Sequence, residues 1–484
     1  MTHSDLEREL EAQGRELMRR LLQEHLALRS PGEAVAPVRD AEDIEHPQAR
    51  QHERTLGSLF GPVTVRRTGY GGEGLSSLHP LDAELNLPSE RYSHELRRRA
   101  AEEAAKGSFD EAVASLSKQS GTKVPKRQLE ELVTRAAVDF DDFYEQRSLD
   151  VDAAEGSLMI LSFDGKGVVM RHEDLRAATR KAAENRRHKF SNRLSKGEKR
   201  QAKRMATVAT VYTIAPFIRQ PEQVVRQLAP IHEVTKGERP SPQGKRVWAS
   251  LAKTPEEVIE QAFKEADRRD PAHKKTWVVL VDGNQTQLEI LPRMAKKYKV
   301  SLTVVLDVIH VTEYLWRAST VFNGEDDAKR EAWVSERLLG IVRGRSSQVA
   351  AGIRRSATLR GLSPDEREAA DKCCDYLLNH TPYLRYDEYL AAGTPIATGV
   401  IEGACRHLVK DRMELTGARW SLVGAEAVLR LRALRTSGDF EDYWRFHEAQ
   451  EYERNHVAHY ANGEVPAIKK PRPNGPKPDL KIVK

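Results

Sequence analysis

The order of apolar segments beyond residue 156 narrows the possible folds of this chain more than any other feature of its sequence. Three strand-type segments come first, at 158–163, 168–171 and 206–214. Helix-type and strand-type segments then alternate, and the last two strand-type segments lie at 277–281 and 302–306. Consecutive strands can pair as antiparallel hairpins, whereas strands joined through a helix lie parallel with a right-handed crossover. The order therefore predicts an α/β fold around a mixed five-stranded sheet, with helices on both faces.

This strand order is typical of a ribonuclease H-like fold, in which the first and fourth strands are central neighbours. Residues 321–392 are interpreted as a helical insertion, and a final helix follows Gly399. Within the first strand region, Asp164-Gly165-Lys166-Gly167 has the composition of a turn, so two short strands joined by a tight turn are expected there.

The region before the sheet is predicted to be helical over residues 92–147. A capping box, Ser108 to Glu111, begins one helix, and Ser120-Gly121 separates it from a second. Residues 108–134 therefore fit a helix-turn-helix that presents its second helix to a DNA groove, with an ordinary helical hairpin as the alternative. The residues nearest DNA would be Lys126, Arg127 and Gln128.

Positive charge is concentrated in one block, although the chain as a whole is nearly balanced. The sequence has 78 Lys and Arg against 72 Asp and Glu, which gives a net charge of +6. Between Arg176 and Arg204, twelve basic residues accompany only two glutamates. Such a block repels itself unless a polyanion covers it, and nucleic acid is the usual polyanion. A solvated surface insertion is the alternative.

Composition argues against several classes of protein. No run of about 18 apolar residues is present, so no membrane association is expected. The charged N-terminus lacks the apolar core of a signal peptide, so a cytoplasmic protein is expected. Three cysteines without CxxC spacing argue against a disulfide framework or a cysteine-rich zinc site.

Three acidic residues stand at the ends of predicted elements: Asp164 after the first strand, Asp282 after the fourth strand, and Glu402 on the final helix. Carboxylates brought together in this way repel each other unless a cation neutralises them. Oxygen ligands suit Mg²⁺ or Mn²⁺, and two such ions can promote phosphoryl transfer. For each aspartate taken singly, a turn without any metal is the alternative.

Two longer motifs resemble those of one protein family. Residues 161–171, LSFDGKGVVMR, are similar to the first-aspartate motif of DDE-type transposases of bacterial insertion sequences, in the Kra-type group related to Mutator-like transposases. Residues 395–413, PIATGVIEGACRHLVKDRM, resemble the glutamate motif of that group, and TGARWS at 416–421 is similar as well. The resemblance covers roughly residues 50–450.

The resemblance implies a set of catalytic residues. Asp164, Asp282 and Glu402 would hold two Mg²⁺ (or Mn²⁺) ions. Mutator-like relatives have a Cys/Asp-x-x-His element between the second aspartate and the glutamate, and Asp307-Val308-Ile309-His310 matches it. Asp307 and His310 are therefore assigned as accessory catalytic residues. The rival assignment makes Asp307 the second metal ligand.

The resemblance also implies a nucleoid-associated DNA transposase that binds terminal inverted repeats, cleaves DNA and transfers strands to target DNA. Holding two DNA ends together implies a homo-oligomer. A non-cleaving DNA-binding regulator and a ribonuclease H-like metal-dependent nuclease are the alternatives. Backbone phosphates are expected to contact the basic block and Arg430, Arg432 and Arg435. Arg419 and Trp420 are candidates for stabilising a distorted base, with a core tryptophan as the alternative.

These assignments give a predicted domain organisation and a predicted DNA-contacting set. The domains are an N-terminal helix and linker (1–50), a DNA-binding region (51–150), a catalytic domain (151–320 and 393–450), the helical insertion (321–392) and a C-terminal tail (451–484). The predicted DNA contacts are Lys126, Arg127, Gln128, Arg186, Arg187, Lys189, Arg419 and Trp420.

Overall fold

The computed structural model describes residues 1–148, 156–184, 198, 202–228 and 239–469. Most of the basic block lies outside these residues, and so do the predicted DNA contacts Arg186, Arg187 and Lys189. The chain forms two compact units, a first unit of Met1–Gln146 with Asp439–Lys484 and a second unit of Arg147–Gly438. Within the described part of the chain, every helix is too short or too polar to cross a lipid bilayer.

Strands and helices are numbered along the chain. The strands are β1 Gln48–Ser58, β2 Gly61–Gly72, β3 Leu75–Leu78, β4 Leu158–Val169, β5 Lys203–Ile214, β6 Gln243–Ser250, β7 Thr276–Val281 and β8 Leu302–Leu306. The helices are α1 His3–Arg29, α2 Pro80–Glu84, α3 His94–Lys106, α4 Phe109–Gln119, α5 Lys126–Ala136, α6 Phe140–Gln146, α7 Ala177–Glu184, α8 Pro221–Leu228, α9 Pro255–Arg269, α10 Gln285–Tyr298, α11 Val308–Asn323, α12 Asp327–Val342, α13 Ser346–Leu359, α14 Pro364–Asn379, α15 Tyr386–Ala391, α16 Gly399–Ala404, α17 Leu422–Ser437 and α18 Phe440–Asn455.

The first unit combines a three-stranded antiparallel sheet, in the order β1-β2-β3, with a group of helices. Helices α3, α4 and α5 contact one another, and α1 packs against β2. The predicted capping box is confirmed, because the Ser108 hydroxyl accepts from the Glu111 amide while the Glu111 carboxylate accepts from the Ser108 amide. The apolar face of α5 is buried through Leu129, Leu132, Val133 and Ala136.

Helix α18 belongs to the first unit, although residues up to 450 were predicted to belong to the catalytic domain. The Tyr443 hydroxyl donates to the Ala136 carbonyl at 2.7 Å, and His447 Nδ1 lies 2.6 Å from Asp139 Oδ2. These partners are 307 and 308 residues away in the chain, so no local pattern indicates the packing. The segment predicted as a tail from residue 451 therefore begins inside a helix.

The second unit contains the predicted mixed five-stranded sheet. Its strand order is β6-β5-β4-β7-β8, with β4 antiparallel to β5 and parallel to β7, and β7 parallel to β8. The strand that begins the sheet in sequence therefore neighbours the fourth, as predicted. Residues 158–163 and 277–281 are buried throughout, which requires cover on both faces of these central strands.

Two strand predictions within this sheet were wrong. Asp164-Gly165-Lys166-Gly167 is not a turn, because β4 runs through it and pairs with β5 from Leu158 opposite Ile214 to Val169 opposite Lys203. Pairing along this length outweighs the local turn preference of Asp-Gly. The strand β6 was missed, since its first residues are polar and only its last five are buried. The predicted strand count was right because these two errors cancel.

Helices contact the sheet and one another around it. Helix α9 contacts β4 and β5, α16 contacts the same two strands, and α17 contacts β6. The segment predicted as a helical insertion contains α12 to α15, of which α13 packs against α14. Helix α11, which follows β8 directly, contacts both α12 and α14.

Candidate active site

Two of the predicted metal ligands, Asp164 and Asp282, each lie two residues beyond the last pair of the parallel strands β4 and β7. Ser162 lies opposite Leu280 at the end of their pairing. Continuing this register by two residues brings Asp164 opposite Asp282. Because side chains alternate along a strand, Asp164 projects to the same face as Ser162. The spacing of the two aspartates in sequence thus matches the register of the two strands.

Asp307 extends this row by one more strand. Val281 lies opposite Leu306, and the Asp307 amide donates to the Val281 carbonyl at 2.8 Å. Asp282 and Asp307 are therefore opposite each other at the carboxyl ends of β7 and β8. The register thus places three aspartates in one row, with Asp282 and Asp307 at the carboxyl ends of their strands and Asp164 within β4. The carboxyl ends of parallel strands are where open α/β sheets carry their sites.

Asp307 is fully buried and makes hydrogen bonds through both carboxylate oxygens. Oδ1 accepts from the amides of Ile309 at 3.1 Å and Thr398 at 3.2 Å. Oδ2 accepts from the Thr398 hydroxyl at 2.6 Å and lies 3.3 Å from His310 Nδ1. Asp307 thereby caps α11 and connects it to the segment before α16. These contacts suit a group that positions its neighbours.

Glu402 reaches the same point from α16. The Thr398 hydroxyl that bonds Asp307 also lies 3.4 Å from Glu402 Oε1. One potential ligand atom each from Asp307, His310 and Glu402 lies within 4.8 Å of the other two, a separation that one cation can bridge. Sequence analysis did not single out Thr398, although it stands four residues before Glu402, which is one helical turn.

The charges in this group of side chains shift the pKa values of Glu402 and His310. Partial desolvation of its carboxylate raises the pKa of Glu402, although the residue as a whole is exposed, and the negative charges of Asp307 and Asp164 raise it further. The hydrogen bond to Asp307 raises the pKa of His310 to about 9 against the opposing effect of burial, and the charge of Asp282 contributes to the rise. Without a bound cation, His310 therefore carries a proton at neutral pH.

Asp164 is held by two donors. The Gly165 amide donates to Oδ1 at 2.6 Å, and the Cys405 thiol donates to Oδ2 at 3.0 Å. Burial and the nearby charge of Asp164 raise the pKa of Cys405, so the sulfur stays protonated and can donate. Cys405 stands three residues after Glu402 on the same helix, a spacing that brings both side chains to one face.

Asp282 stands on a turn that the helical insertion supports. Its Oδ1 accepts from the Asn284 amide at 2.9 Å, and its backbone carbonyl accepts from the Tyr376 hydroxyl at 3.0 Å. Tyr376 on α14 stacks on Tyr314 of α11, with ring centroids 4.0 Å apart. Gly283 has φ of 92°, a conformation that favours glycine. The insertion thus forms one wall of the site.

The donor set fits a hard divalent cation. Asp164 and Asp282 are half-buried and Glu402 is exposed, so their oxygens can accept further ligands. Among the described residues, the ion pair at this site is the one between His310 and Asp307 at 3.3 Å, and no Lys or Arg pairs with the other three acids. Carboxylate oxygens with this freedom suit Mg²⁺ or Mn²⁺.

Helix α16 continues into a π-helical segment, Cys405–Lys410, before a last turn at Asp411–Met413. Segments of this kind occur frequently at functional sites. Arg432 donates to the Leu408 carbonyl at 2.8 Å and also to the His407 carbonyl. Arg432 therefore supports the helix that carries Glu402, and its contact with DNA phosphates stays a prediction.

Trp420 is a core residue, so its predicted contact with a distorted base was wrong. It is 5% exposed, its indole Nε1 donates to the Met413 carbonyl at 3.0 Å, and its amide donates to the Val169 carbonyl at 3.1 Å. An isolated parallel bridge joins its backbone to Met170, directly after β4. The neighbouring Arg419 is exposed and stays a predicted DNA contact.

The predicted recognition residues stand at the start of α5. Arg127 is 91% exposed, and Lys126 forms an exposed ion pair with Asp110 at 2.8 Å. The side chain of Gln128 is half-buried and accepts from the Tyr92 hydroxyl. Lys126 and Arg127 can therefore reach a ligand more freely than Gln128 can.

No protein-family model matches this chain, and no curated protein matches it. Among solved structures, it is similar to a chain of the Drosophila P element transposase strand transfer complex. The two are 10% identical, the match covers 76% of this chain and 82% of that chain, and the TM-score is 0.25. The function proposed below therefore rests on the residues of this chain.

Proposed function

We propose that this chain is a DNA transposase with a ribonuclease H-like catalytic domain, which cleaves DNA at terminal inverted repeats and transfers the freed strand to target DNA. The observation that carries the proposal is the approach of Asp307, His310 and Glu402 to within 4.8 Å of one another, with Asp164 and Asp282 near enough for their charges to raise the pKa values of Glu402 and His310. Among the described residues, no Lys or Arg forms an ion pair with Asp164, Asp282 or Glu402. Carboxylates without such partners are expected at a site that binds a cation. The motifs around Asp164 and Glu402 support the same class of enzyme.

In this proposal, Asp164, Asp282 and Glu402 would hold two Mg²⁺ or Mn²⁺ ions, which would supply activation of water or a 3′-hydroxyl and stabilisation of the leaving oxygen. Cys405 keeps Asp164 oriented by donating to its Oδ2. Asp307 holds His310 through Nδ1, which leaves Nε2 available to donate a hydrogen bond or a proton to a phosphate or leaving oxygen. Direct attack on the phosphate requires no covalent intermediate with the protein.

DNA recognition is assigned to the first unit. The mutual contacts of α3, α4 and α5 support a helix-turn-helix in which α5 enters a major groove. The exposed Lys126 and Arg127 at its start would contact the DNA. Joining requires two DNA ends held together, so the working form would be a homo-oligomer.

The test uses the purified full chain and a plasmid that carries its gene with native flanking DNA. Cleavage and strand joining are followed with Mg²⁺, with Mn²⁺ and with EDTA, and Asp164→Asn, Asp282→Asn and Glu402→Gln are compared with the native chain. We expect each substitution and EDTA to abolish cleavage and joining. Glu289→Gln, an exposed acid on α10, is the matched control and should retain activity.

The outcomes separate the alternatives. Cleavage without joining would identify a nuclease, and specific binding of the flanking DNA without cleavage would identify a regulator, so either result overturns the proposal. Loss of activity in Asp307→Asn together with full activity in Asp282→Asn would make Asp307 the second ligand. Circular dichroism of each variant shows whether lost activity reflects lost folding.

A further inference from the structure

One side of helix α1 carries a row of leucines that no described residue covers. At about 100° of rotation per residue, five leucines fall within roughly 60° of arc on one side of this helix. They are Leu6, Leu10, Leu17, Leu21 and Leu28, which are 46%, 61%, 56%, 56% and 67% exposed. We call them the α1 leucine stripe. An aligned apolar surface of this kind, with charged residues beside it, marks an interaction site.

The opposite side of α1 is fixed to the first unit, so the α1 leucine stripe cannot turn inward. Leu26 is buried against β1 and β2 residues, and Leu22 packs beside it. The Gln23 side chain donates to the Thr64 carbonyl at 3.0 Å and accepts from the Thr64 amide at 2.8 Å. Near the middle of the helix, Arg15 donates to the Ser120 carbonyl at 3.3 Å.

Charge along α1 is unevenly divided between its two halves. Residues 3–13 contain four acidic side chains and one arginine, a net charge of −3. Residues 14–29 contain four arginines and two glutamates, a net charge of +2. Two copies of α1 laid antiparallel bring unlike halves together, whereas a parallel pair brings each half against its own charge.

We propose that α1 is a self-association surface, on which the α1 leucine stripes of two copies of this chain pack antiparallel about a two-fold axis. The proposal does not depend on the DNA chemistry proposed above. A two-fold pair uses the same surface on both partners, which satisfies both stripes at once. Leucines repeated on one helix face are suited to packing of this kind between helices.

The test measures the oligomeric state of the DNA-free full chain by sedimentation equilibrium over a range of concentrations. We expect a dimer, and we expect Leu10→Glu/Leu17→Glu/Leu21→Glu to weaken dimerisation at least about tenfold. Glutamate favours helix, so α1 itself should persist. Leu359→Glu, at a leucine that is 77% exposed on α13, is the control and should dimerise as the native chain does.

Orientation is tested by charge reversal. Glu7→Lys/Glu9→Lys/Glu11→Lys turns the acidic half of α1 basic, so an antiparallel pair then repels and dissociates more readily. Unchanged dimerisation in this variant would overturn the antiparallel arrangement. A native chain that stays monomeric at about 100 μM, or a triple glutamate variant that dimerises normally, would overturn the self-association itself.

Discussion

Charged side chains cluster in both units. In the first cluster an arginine lowers the pKa of a buried carboxyl group, whereas in the second cluster neighbouring carboxylates raise it. In the first unit, Arg97 is fully buried and pairs with Glu451 at 2.8 Å and with Glu90 at 3.4 Å. Burial alone would raise the pKa of Glu451, but Arg97 outweighs it and the pKa is lowered. In the second unit, burial and Asp307 raise the pKa of Glu402.

This contrast indicates a structural role for the first cluster and a ligand-binding role for the second. A buried carboxylate matched by an arginine is already neutralised, so the first cluster joins α3 to α18 and needs no ligand. In the second cluster, the charges of Asp307 and Asp164 destabilise the ionised form of Glu402, and a bound cation would stabilise it. Groups that a fold holds in this unfavourable state occur preferentially at functional sites.

The largest difference between the clusters should appear in stability. Arg97→Met removes the buried cation that Glu90 and Glu451 share and leaves each with a partly exposed arginine, Arg135 or Arg454, which we expect to cost about 3–5 kcal/mol of unfolding free energy. Asp282→Asn replaces a half-buried carboxylate that pairs with no described Lys or Arg, and it should cost nothing measurable. Urea unfolding followed by circular dichroism provides the comparison.

The control is Arg99→Met, which removes a partly exposed ion pair on the same helix and should cost at most about 1 kcal/mol. Equal losses in Arg97→Met and Asp282→Asn would contradict the contrast.

A smaller effect should follow from Thr398, which connects Asp307 to Glu402. Thr398→Val keeps the shape but removes the hydroxyl that bonds Asp307 at 2.6 Å, so both carboxylates lose their alignment. We expect cation affinity and DNA cleavage to fall about 10- to 100-fold, as for other groups that orient metal ligands. Mg²⁺ titration by calorimetry measures the affinity. Thr398→Ser keeps the hydroxyl and should restore both properties, whereas equal losses in the two variants would assign Thr398 to packing alone.

The sheet and its aspartates could be predicted because the signals are local. Apolar runs that end in Asp282 and Asp307 indicate buried parallel strands, and parallel strands bring their carboxyl ends to one edge. Asp282 was predicted to be the second metal ligand, with Asp307 as the rival, and this assignment stays a prediction. That choice depends on burial and on contacts such as Thr398 to Asp307, which join residues 91 positions apart.

Other features depend on contacts that no local pattern encodes. Asp-Gly favours a turn, yet β4 continues because β5 pairs along its whole length. Helix α18 has partners more than 300 residues away, so its sequence gives no sign that it belongs to the first unit. Trp420 was a candidate DNA contact within the motif TGARWS, with a core tryptophan as the alternative, and only its burial identifies it as core.

The smallest effect, and the most direct test of the contrast, is the pH dependence of stability in the absence of metal. A carboxyl group whose pKa is raised on folding costs stability above its usual pKa, and the cost disappears once it is protonated in both states. With EDTA present, Glu402→Gln should therefore melt above the native chain at about pH 7, and this gain should vanish toward about pH 4. The pKa of Glu451 is lowered, so Glu451→Gln should melt below the native chain at neutral pH, and the loss should shrink on acidification. Melting temperatures that shift in the same direction for both variants would show that the two clusters do not differ as described.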